Sequence, residues 1–461
     1  MIFSSLTFLW VFLPFTVLIY FILPKIALKN FFLFIMSLFF YSWGEPKYIV
    51  IMVISIVINY VMGLTIEKTK RKKQAVAIAV IANLSILGYY KYINFCIDNL
   101  NQILGLGIRF EEIALPIGIS FYTFQSISYL VDIYRGNVKA QRNFVKMGLY
   151  ISLFPQLVAG PIVKYHNIAK QIDFRRVSLD GFSYGVKRFV FGLGKKVLIA
   201  NVMGSLADNI MIGETGGSSI AAWVGVLAYA LQIYYDFSGY SDMAIGLSRM
   251  FGFRLLENFD YPYISKSIKE FWRRWHISLS TWFRDYLYIP LGGNRVAPYR
   301  VYVNLIIVFF ATGLWHGANW NFVIWGMWHG MFLIFEKLFN LEKALKFNVV
   351  RHVYTLAVVL VGWVFFRIEA LPEALKYIKL MFSFNMGDLA FLNSYLNREN
   401  ILMMVAGIIG GGQARIPKFK INSYKGIAYN AGVSIFLIAV LNFAILYMAG
   451  STYNPFIYFR F

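Results

Sequence analysis

Long stretches without a single charged residue constrain this chain more than any other feature. Residues 1–24, 147–163, 215–235, 301–335 and 426–459 contain no Asp, Glu, Lys or Arg. A helix needs about 20 apolar residues to cross the roughly 30 Å hydrocarbon core of a bilayer. The sequence therefore predicts an all-α polytopic membrane protein with about 9–12 membrane helices.

The composition excludes the soluble alternatives. Hydrophobic residues make up 59% of the chain and charged residues 14%, against about 45–50% and about 25% in ordinary globular proteins. The single cysteine, Cys96, excludes a secreted disulfide scaffold. The first uncharged run has no basic residue before it and is followed by Lys25 and Lys29. We expect this run to be a retained first helix with the N-terminus outside the cytoplasmic membrane.

The chain is strongly basic, with 44 Lys and Arg against 22 Asp and Glu, a net charge of +22. The positive-inside rule and attraction to anionic membrane lipid account for this excess by themselves. Alternatively, the cytoplasmic face also receives an anionic ligand, and fifteen basic residues lie in 164–196 and 264–300. Nucleic acid is not expected as a partner, because the basic residues sit between apolar runs.

Two of the uncharged runs are predicted not to be simple crossings, because basic segments flank both of their ends. The run 147–163 also contains Pro155 and Pro161, which break helices, and is predicted to be re-entrant. The run 301–335 is predicted to be a helical hairpin broken near 317–319. Irregular backbone at membrane depth is tolerated where protein or a water-filled cavity covers it, so these elements indicate an internal cavity.

The segment 260–300 interleaves aromatic rings with basic side chains, which is typical of an interfacial or partly inserted helical segment. The alternative is an ordinary amphipathic surface helix without a ligand. Residues 1–385 are predicted to form the membrane core, and 386–461 to add C-terminal membrane helices to the same domain.

His316 is the first candidate for chemistry, because it falls at the predicted hairpin tip inside an uncharged run. A neutral imidazole accepts and returns a proton near neutral pH, so His316 suits a general base. Trp315 and Asn319 flank it, and Asn319 is a candidate donor to a developing oxyanion. The alternative for His316 is a structural histidine at a helix packing site.

His276 is the second candidate, at the end of a run that begins with Arg273 and Arg274. Its alternative role is to orient an interfacial helix. His329 follows His316 by 13 positions and is expected to be structural and nearer the inner face. His166 and His352 lie beside charged segments and are expected to be solvated.

A polar stretch, 232–242, follows directly on an uncharged run. Gln232 and Asp236 are candidates for a cavity lining that orients a substrate or a histidine. The alternative is a helix end where Asp236 or Asp242 pairs with nearby arginines. Gly239 and Gly246 in the same helix are spaced to let another helix approach closely.

No metal site or permanently bound cofactor is predicted. The chain has one cysteine, widely spaced histidines and no His-Glu-x-x-His sequence, which argues against zinc. It also lacks a clear phosphate-binding glycine loop and a Gly-x-Ser-x-Gly nucleophile motif.

Seven stretches occur in the order typical of one protein family. The chain resembles the membrane-bound O-acyltransferases, and among them the bacterial branch that O-acetylates alginate and related polysaccharides. The stretches that carry the resemblance are 115–125, 129–135, 154–161, 232–242, 258–263, 271–276 and 313–320.

The resemblance implies a funnel-shaped helical core around a tunnel, with His316 matching the family's invariant histidine and His276 its second recurrent position. It implies that an acyl donor enters from the cytoplasm, where Arg273, Arg274 and the lysines Lys195 and Lys196 would suit the phosphates of acetyl-CoA. A separate extracytoplasmic acetyltransferase or polysaccharide-synthesis protein would then complete the modification.

The function expected from this resemblance is transfer of an acetyl group from a cytoplasmic thioester across the membrane, for O-acetylation of a cell-surface or exported polysaccharide. Alginate, cellulose, peptidoglycan and other exopolysaccharides remain open as acceptors. The alternatives are D-alanyl transfer from a carrier protein to teichoic acid, a transporter of polysaccharide or acyl donor, and a scaffold for a synthase complex. A transporter typically shows repeated halves, which the sequence lacks.

Overall fold

The computed structural model describes residues 1–44, 46–158, 160–213, 217–387, 389–413, 427–451 and 453–457. Throughout these ranges the regular structure is helical, without strands. The chain divides into two compact units, one of Met1–Phe189 with Met243–Leu256 and one of Val190–Asp242 with Glu257–Ile457. Of the predicted C-terminal part, residues 414–426 lie outside the described residues.

The first part of the described chain forms nine α-helices. They are α1 (Leu13–Ile22), α2 (Ile26–Ser42), α3 (Ile49–Lys68), α4 (Lys72–Leu104), α5 (Ile119–Tyr134), α6 (Phe144–Ser152), α7 (Phe154–Leu157), α8 (Tyr165–Asp173) and α9 (Leu179–Gly194). A π-helical segment, Lys195–Ala200, continues α9 into the next helix.

The described remainder of the chain adds twelve helices. They are α10 (Asn201–Met211), α11 (Ser219–Met250), α12 (Ile268–Arg274), α13 (Ile277–Phe283), α14 (Pro298–His316), α15 (Trp320–Leu338), α16 (Leu341–Ala344), α17 (Asn348–Arg367), α18 (Leu371–Met381), α19 (Leu389–Tyr395), α20 (Arg398–Ile408) and α21 (Ile427–Gly450).

Seven helical segments of the described chain are long and apolar enough to cross a membrane, which confirms the all-α polytopic prediction. They are Pro46–Lys68, Lys72–Leu104, Leu179–Met211, Ser219–Met250, Pro298–His316, Asn348–Arg367 and Tyr429–Gly450. The segments Phe8–Ile22 and Ile26–Ser42 are apolar but shorter. The seven long segments and the two shorter ones together make nine, the lower end of the predicted 9–12 membrane helices.

The run 147–163 is broken as its prolines predict. α6 ends at Ser152, Leu153 leaves the helical region, and α7 begins with Pro155 in its first turn. Pro155 tolerates that position because first-turn N–H groups have no intrahelical acceptor. The break is confirmed, while re-entry into a membrane stays a prediction.

The run 301–335 is a helical hairpin, as predicted. α14 ends at His316 and α15 begins at Trp320. Glycines let the two helices touch along their backbones: an ideal Cβ on Gly313 would lie 2.4 Å from Phe322 O, and one on Gly326 would lie 2.3 Å from Phe309 O. At about 1.5 Å per residue, each arm is roughly 28 Å long, nearly the thickness of a bilayer core.

The two glycines of α11 also serve close packing, as predicted. An ideal Cβ on Gly239 would lie 2.8 Å from Gly192 O, and one on Gly246 would lie 2.6 Å from Gly185 O. A side chain at either position would collide with the backbone of α9. α11 therefore packs directly against α9, which fixes the polar residues between the two glycines.

Candidate active site

His276 occupies a sharp break between two short helices. α12 ends at Arg274 and α13 begins at Ile277, and His276 adopts φ 43° and ψ 56°. Residues with a Cβ avoid this left-handed region, which costs roughly 1–2 kcal/mol. Such strain persists only where surrounding contacts fix the residue, so the fold sets the place of this ring.

Asn258 determines which nitrogen of His276 carries the proton. The Oδ1 atom of Asn258 accepts the backbone N–H of Ser278 at 3.1 Å and the Ser278 hydroxyl at 2.8 Å, which identifies it as the amide oxygen. His276 Nδ1 lies 3.2 Å from this oxygen and must donate to it. The neutral ring therefore keeps its lone pair on Nε2, where it can accept a hydrogen bond from a hydroxyl.

Burial keeps His276 neutral. The residue lies outside the candidate spans, yet its side chain is fully buried, and the Phe237 ring meets it edge-on with centroids 4.6 Å apart. Loss of water disfavours the imidazolium form and lowers the pKa of His276 to about 3. Acid–base catalysts work best with a pKa near the working pH, so His276 is better suited to orient a hydroxyl than to deprotonate it.

His316 lies at the closed end of the hairpin, as the last residue of α14. Its side chain is buried among three aromatic rings: Trp315 at 5.0 Å, Trp325 at 4.8 Å and Phe366 at 5.2 Å between centroids. All three meet the imidazole at steep angles, from 74° to 86°. The position of the His316 ring is therefore set largely by apolar packing.

The Trp315 ring contacts the rings of both histidines. Its ring lies 5.9 Å from His276 and 5.0 Å from His316, centroid to centroid. The two imidazoles are thus no more than about 11 Å apart, the combined length of these contacts. The structure brings together His276, Trp315 and His316, three residues singled out by the sequence.

Asn319 has a local structural role. It is the N-cap of α15: its Oδ1 accepts the backbone N–H of Asn321 at 2.9 Å, and its amide donates to Glu369 O at 3.4 Å. Capping of this kind satisfies a first-turn N–H group that has no intrahelical acceptor. A role for Asn319 as an oxyanion donor stays a prediction.

The lysines predicted to bind the donor are paired with the acidic residues of α11. Lys196 Nζ lies 2.7 Å from Asp236 Oδ1, with both side chains buried, and Lys195 Nζ lies 2.7 Å from Asp242 Oδ2. The alternative in which arginines pair with Asp236 or Asp242 differs from the structure, where each carboxylate pairs with a lysine of the π-helical segment that continues α9.

The C-terminal segment completes the Lys196–Asp236 pair. Ile457 N–H donates to Asp236 Oδ2 at 2.9 Å, and Lys196 also donates to Pro455 O. A buried ion pair needs such extra hydrogen bonds to offset its loss of water. Gln232, one turn before Asp236, is also buried, with its amide nitrogen against Gly204 of α10.

Comparison with known proteins identifies the fold family. A family model described as MBOAT, membrane-bound O-acyltransferase family, matches residues 137–367. A protein named probable alginate O-acetylase, from Azotobacter vinelandii, is 41% identical over 503 aligned residues, covering 100% of both chains. The chain belongs to the membrane-bound O-acyltransferase family. It is a multi-pass membrane O-acyltransferase, as its sequence motifs predict.

Two further relatives share less sequence identity with this membrane-bound O-acyltransferase. A peptidoglycan O-acetyltransferase from Helicobacter pylori is 37% identical over 89% of this chain and 86% of its own. A teichoic acid D-alanyltransferase from Bacillus subtilis is 29% identical over 50% of this chain and 62% of its own. The family match includes both site histidines and the residues that contact them.

The two arginines of α12 differ in what they contact. Arg274 pairs with Asp260 at 3.2 Å and with Glu270 at 2.9 Å. Arg273 is exposed and forms no ion pair with any residue in the described ranges. Arg273 is therefore the donor-binding candidate whose charge is still available to an anion.

The remaining histidines make their own contacts. His166 is partly exposed, as expected, but its Nδ1 also lies 3.0 Å from the buried Asp132 carboxylate. His352 is half-buried rather than fully solvated, with Nδ1 3.1 Å from Ser265 O.

Several residues of the O-acyltransferase site were not singled out by the sequence. Asn258 and Ser278 hold His276, and both had an available signal: Asn258 opens a family motif and Ser278 lies two positions after the histidine. Trp325 lies on the second arm of the hairpin. Phe366 comes from α17, and no local pattern would have placed it against His316.

Proposed function

We propose that this membrane-bound O-acyltransferase transfers an acetyl group from a cytoplasmic thioester to hydroxyl groups of an exported polysaccharide. The observation that carries the proposal is the pairing of two buried histidines on either side of Trp315. The names of its relatives support the substrate class, since two of them are an alginate O-acetylase and a peptidoglycan O-acetyltransferase.

In the proposed reaction His316 is the general base. The hydroxyl oxygen of the acceptor attacks the thioester carbonyl carbon while His316 takes the hydroxyl proton. The carbon–sulfur bond then breaks, and the leaving thiol receives that proton, so atoms and charge balance. The aromatic rings around His316 limit access of water, which would otherwise hydrolyse the donor.

His276 orients the acceptor in this proposal. Its Nε2 lone pair accepts a hydrogen bond from a hydroxyl, because Asn258 holds the proton on Nδ1. A donor and an acceptor held in reactive geometry react far faster than in solution. Fixing the tautomer in advance avoids a proton rearrangement during each turnover.

The donor, the partner and the location are further parts of the proposal. Acetyl-CoA enters from the cytoplasm of a bacterial inner membrane, with its phosphates near the exposed Arg273. An extracytoplasmic acetyltransferase or a polysaccharide-synthesis protein receives the acyl group or completes its delivery, and a tunnel connects the two faces.

The decisive experiment replaces His316 with alanine and measures acetate bound to the cell-envelope polymer. We expect a loss of at least about 100-fold, the usual contribution of a general base. His352→Gln is the matched control, because His352 contacts Ser265 rather than the site. Normal polymer acetate in the H316A strain, at wild-type protein levels, would overturn the assignment.

Mass spectrometry of the polymer separates the second candidate. D-Alanyl esters in place of acetate would favour teichoic acid D-alanylation, although that relative matches only half of this chain. Acetyl transfer from labelled acetyl-CoA by protein purified in detergent would exclude a pure transporter. Full activity of variants at both His316 and His276 would favour a scaffold.

A further inference from the structure

His329 is a buried histidine that the proposed reaction does not use. It lies on α15 within what we call the aromatic box, formed by His329, Phe271, Trp272 and Trp325. Phe271 is parallel to the imidazole at 6.1 Å, and both indoles meet it edge-on at 5.3 Å between centroids. The histidine side chain has no exposed surface.

The polar atoms of the aromatic box have no hydrogen-bond partners within the described chain. This holds for both ring nitrogens of His329 and for Nε1 of Trp272 and Trp325. Buried polar atoms without partners destabilise a fold, and a phenyl ring at position 329 would pack as well without that loss. Packing alone therefore does not explain an imidazole at this position.

The aromatic box touches the supports of both site histidines. Trp325 contacts His329 at one side and His316 at the other, with centroids 5.3 and 4.8 Å apart. Phe271 stacks on His329 and on Trp275, the residue before His276, at 5.6 Å. A change in the His329 ring therefore reaches His316 through one intervening ring, Trp325, and the backbone of His276 through two, Phe271 and Trp275.

The spacing of the box allows a hydrogen bond between its members. Trp325 and His329 are four positions apart on one helix and face the same side. Their ring centroids lie 5.3 Å apart at an interplanar angle of 75°, so a bond between the indole N–H and an imidazole nitrogen needs ring rotation but no movement of the helix backbone. Such a bond would satisfy one unpaired donor and one unpaired acceptor at once.

We propose that His329 is a positioning residue for acyl transfer. In the working enzyme its imidazole accepts the Trp325 indole N–H and thereby holds Trp325 against His316. This inference rests on the proposed function, because it needs His316 to act on the acceptor. It predicts that the lone pair of His329 matters, beyond the volume of its ring.

The test compares His329→Phe, which keeps a ring and removes the lone pair, with His329→Gln, which keeps an acceptor and removes the ring. Inverted membrane vesicles carrying the full chain are supplied with acetyl-CoA, and polymer-bound acetate is measured. We expect the H329F variant to lose about tenfold in kcat. Its KM for acetyl-CoA should be unchanged and its melting temperature at or above the wild-type value, and the H329Q variant should retain more kcat. Wild-type kcat in the H329F variant would overturn the inference.

A substitution on another helix, α17, also displaces the His329 ring. An ideal Cβ on Gly362 of α17 would lie 2.9 Å from His329 Nε2, so Gly362→Ala displaces the imidazole without changing its chemistry. We expect kcat to fall with KM unchanged. If the phenylalanine variant does not fold, a G362A variant with wild-type kcat contradicts the inference in its place.

The His316→Ala variant distinguishes failure of the inference from failure of the function. An inactive H316A variant beside a fully active H329F variant rejects only the role of His329. A fully active H316A variant rejects the proposed function itself. In the H316A background, His329→Phe should have no further effect, because the residue it positions is gone.

Discussion

The two site histidines are held in opposite ways. His276 is fixed by polar contacts, with its Nδ1 proton directed to Asn258 and its backbone in a strained conformation. His316 is fixed by packing, among Trp315, Trp325 and Phe366. Both are buried, and the tautomer of the first is set by a neighbouring amide whose orientation Ser278 determines.

This difference supports a division of labour. A histidine whose Nδ1–H donates to an amide oxygen is a fixed acceptor, and burial holds its pKa far below neutral pH. A histidine held by rings at its faces and edges is not committed to one tautomer by that packing. It can therefore take a proton on one nitrogen and release it during turnover.

The largest expected effect comes from replacing each histidine by the amide that resembles it most. His316→Gln removes the base, and we expect acyl transfer to fall by about 100-fold or more. His276→Asn tolerates the left-handed backbone and keeps a donor near the Nδ1 position, so we expect a loss of only about tenfold. Initial rates of polymer acetylation in membrane vesicles measure both.

The reverse order of these losses would contradict the division of labour. If the H276N variant were the more damaged of the two, with normal folding, His276 would be the proton acceptor. Size-exclusion profiles in detergent serve as the control for folding.

The next prediction concerns Asn258, which sets the tautomer of His276. Asn258→Asp places a carboxylate beside His276 Nδ1, and an opposite charge stabilises the imidazolium, so the pKa of His276 rises. Activity of the N258D variant should then fall on the acid side, by up to about tenfold at pH 5, where wild-type His276 is still mostly neutral. Activity should recover as the pH rises through the new pKa, and a pH–rate profile measures the shift.

The pH dependence of stability tests the same variant independently of activity. The pKa of wild-type His276 in the folded chain lies below its ordinary value of 6.5, so the unfolded chain binds more protons and stability falls as the pH drops below 6.5. The N258D variant should lose less stability over that range. Melting curves at pH 5 and pH 8 would show a smaller difference than in the wild type; an equal difference would contradict the coupling.

The sequence was informative wherever local rules decide the backbone. Flanking basic residues and the length of 301–335 predicted the hairpin, and His316 lies at its tip because a helix of that length cannot fit a bilayer. Pro155 predicted the break between α6 and α7 for an equally local reason: proline lacks the N–H that a continuous helix requires.

The site's non-local contacts lay outside what one sequence can show. Lys196 was predicted to bind an anionic donor, but it lies on the π-helical continuation of α9 and pairs with Asp236 of α11. The backbone N–H of Ile457 donates to the same carboxylate. Phe366 reaches His316 from α17. The sequence spacing of these residues does not predict their contacts, because the contacts depend on how separate helices pack.

Trp315 tests whether the two histidines act as one site. Trp315→Phe keeps an aromatic ring between them, while Trp315→Leu leaves an apolar side chain without one. We expect a severalfold loss for the first and about tenfold for the second, because misplaced groups react more slowly. In the W315L background the further loss on His276→Asn should shrink, and strictly additive losses would show that the histidines act independently.

The smallest expected effect concerns the donor rather than the histidines. Arg273 is exposed and without an ion pair in the described chain, whereas Lys196 is buried against Asp236. Arg273→Gln should raise the KM for acetyl-CoA about two- to fivefold and leave kcat unchanged, because an exposed charge contributes about 1 kcal/mol or less. Added salt should weaken donor binding in the wild type more than in the R273Q variant.

Arg274→Gln is the matched control, since the charge of Arg274 is already paired with Asp260 and Glu270, and this substitution should lower stability rather than donor affinity. Equal KM values in the R273Q variant and the wild type would remove Arg273 from the donor site and leave both histidine assignments intact.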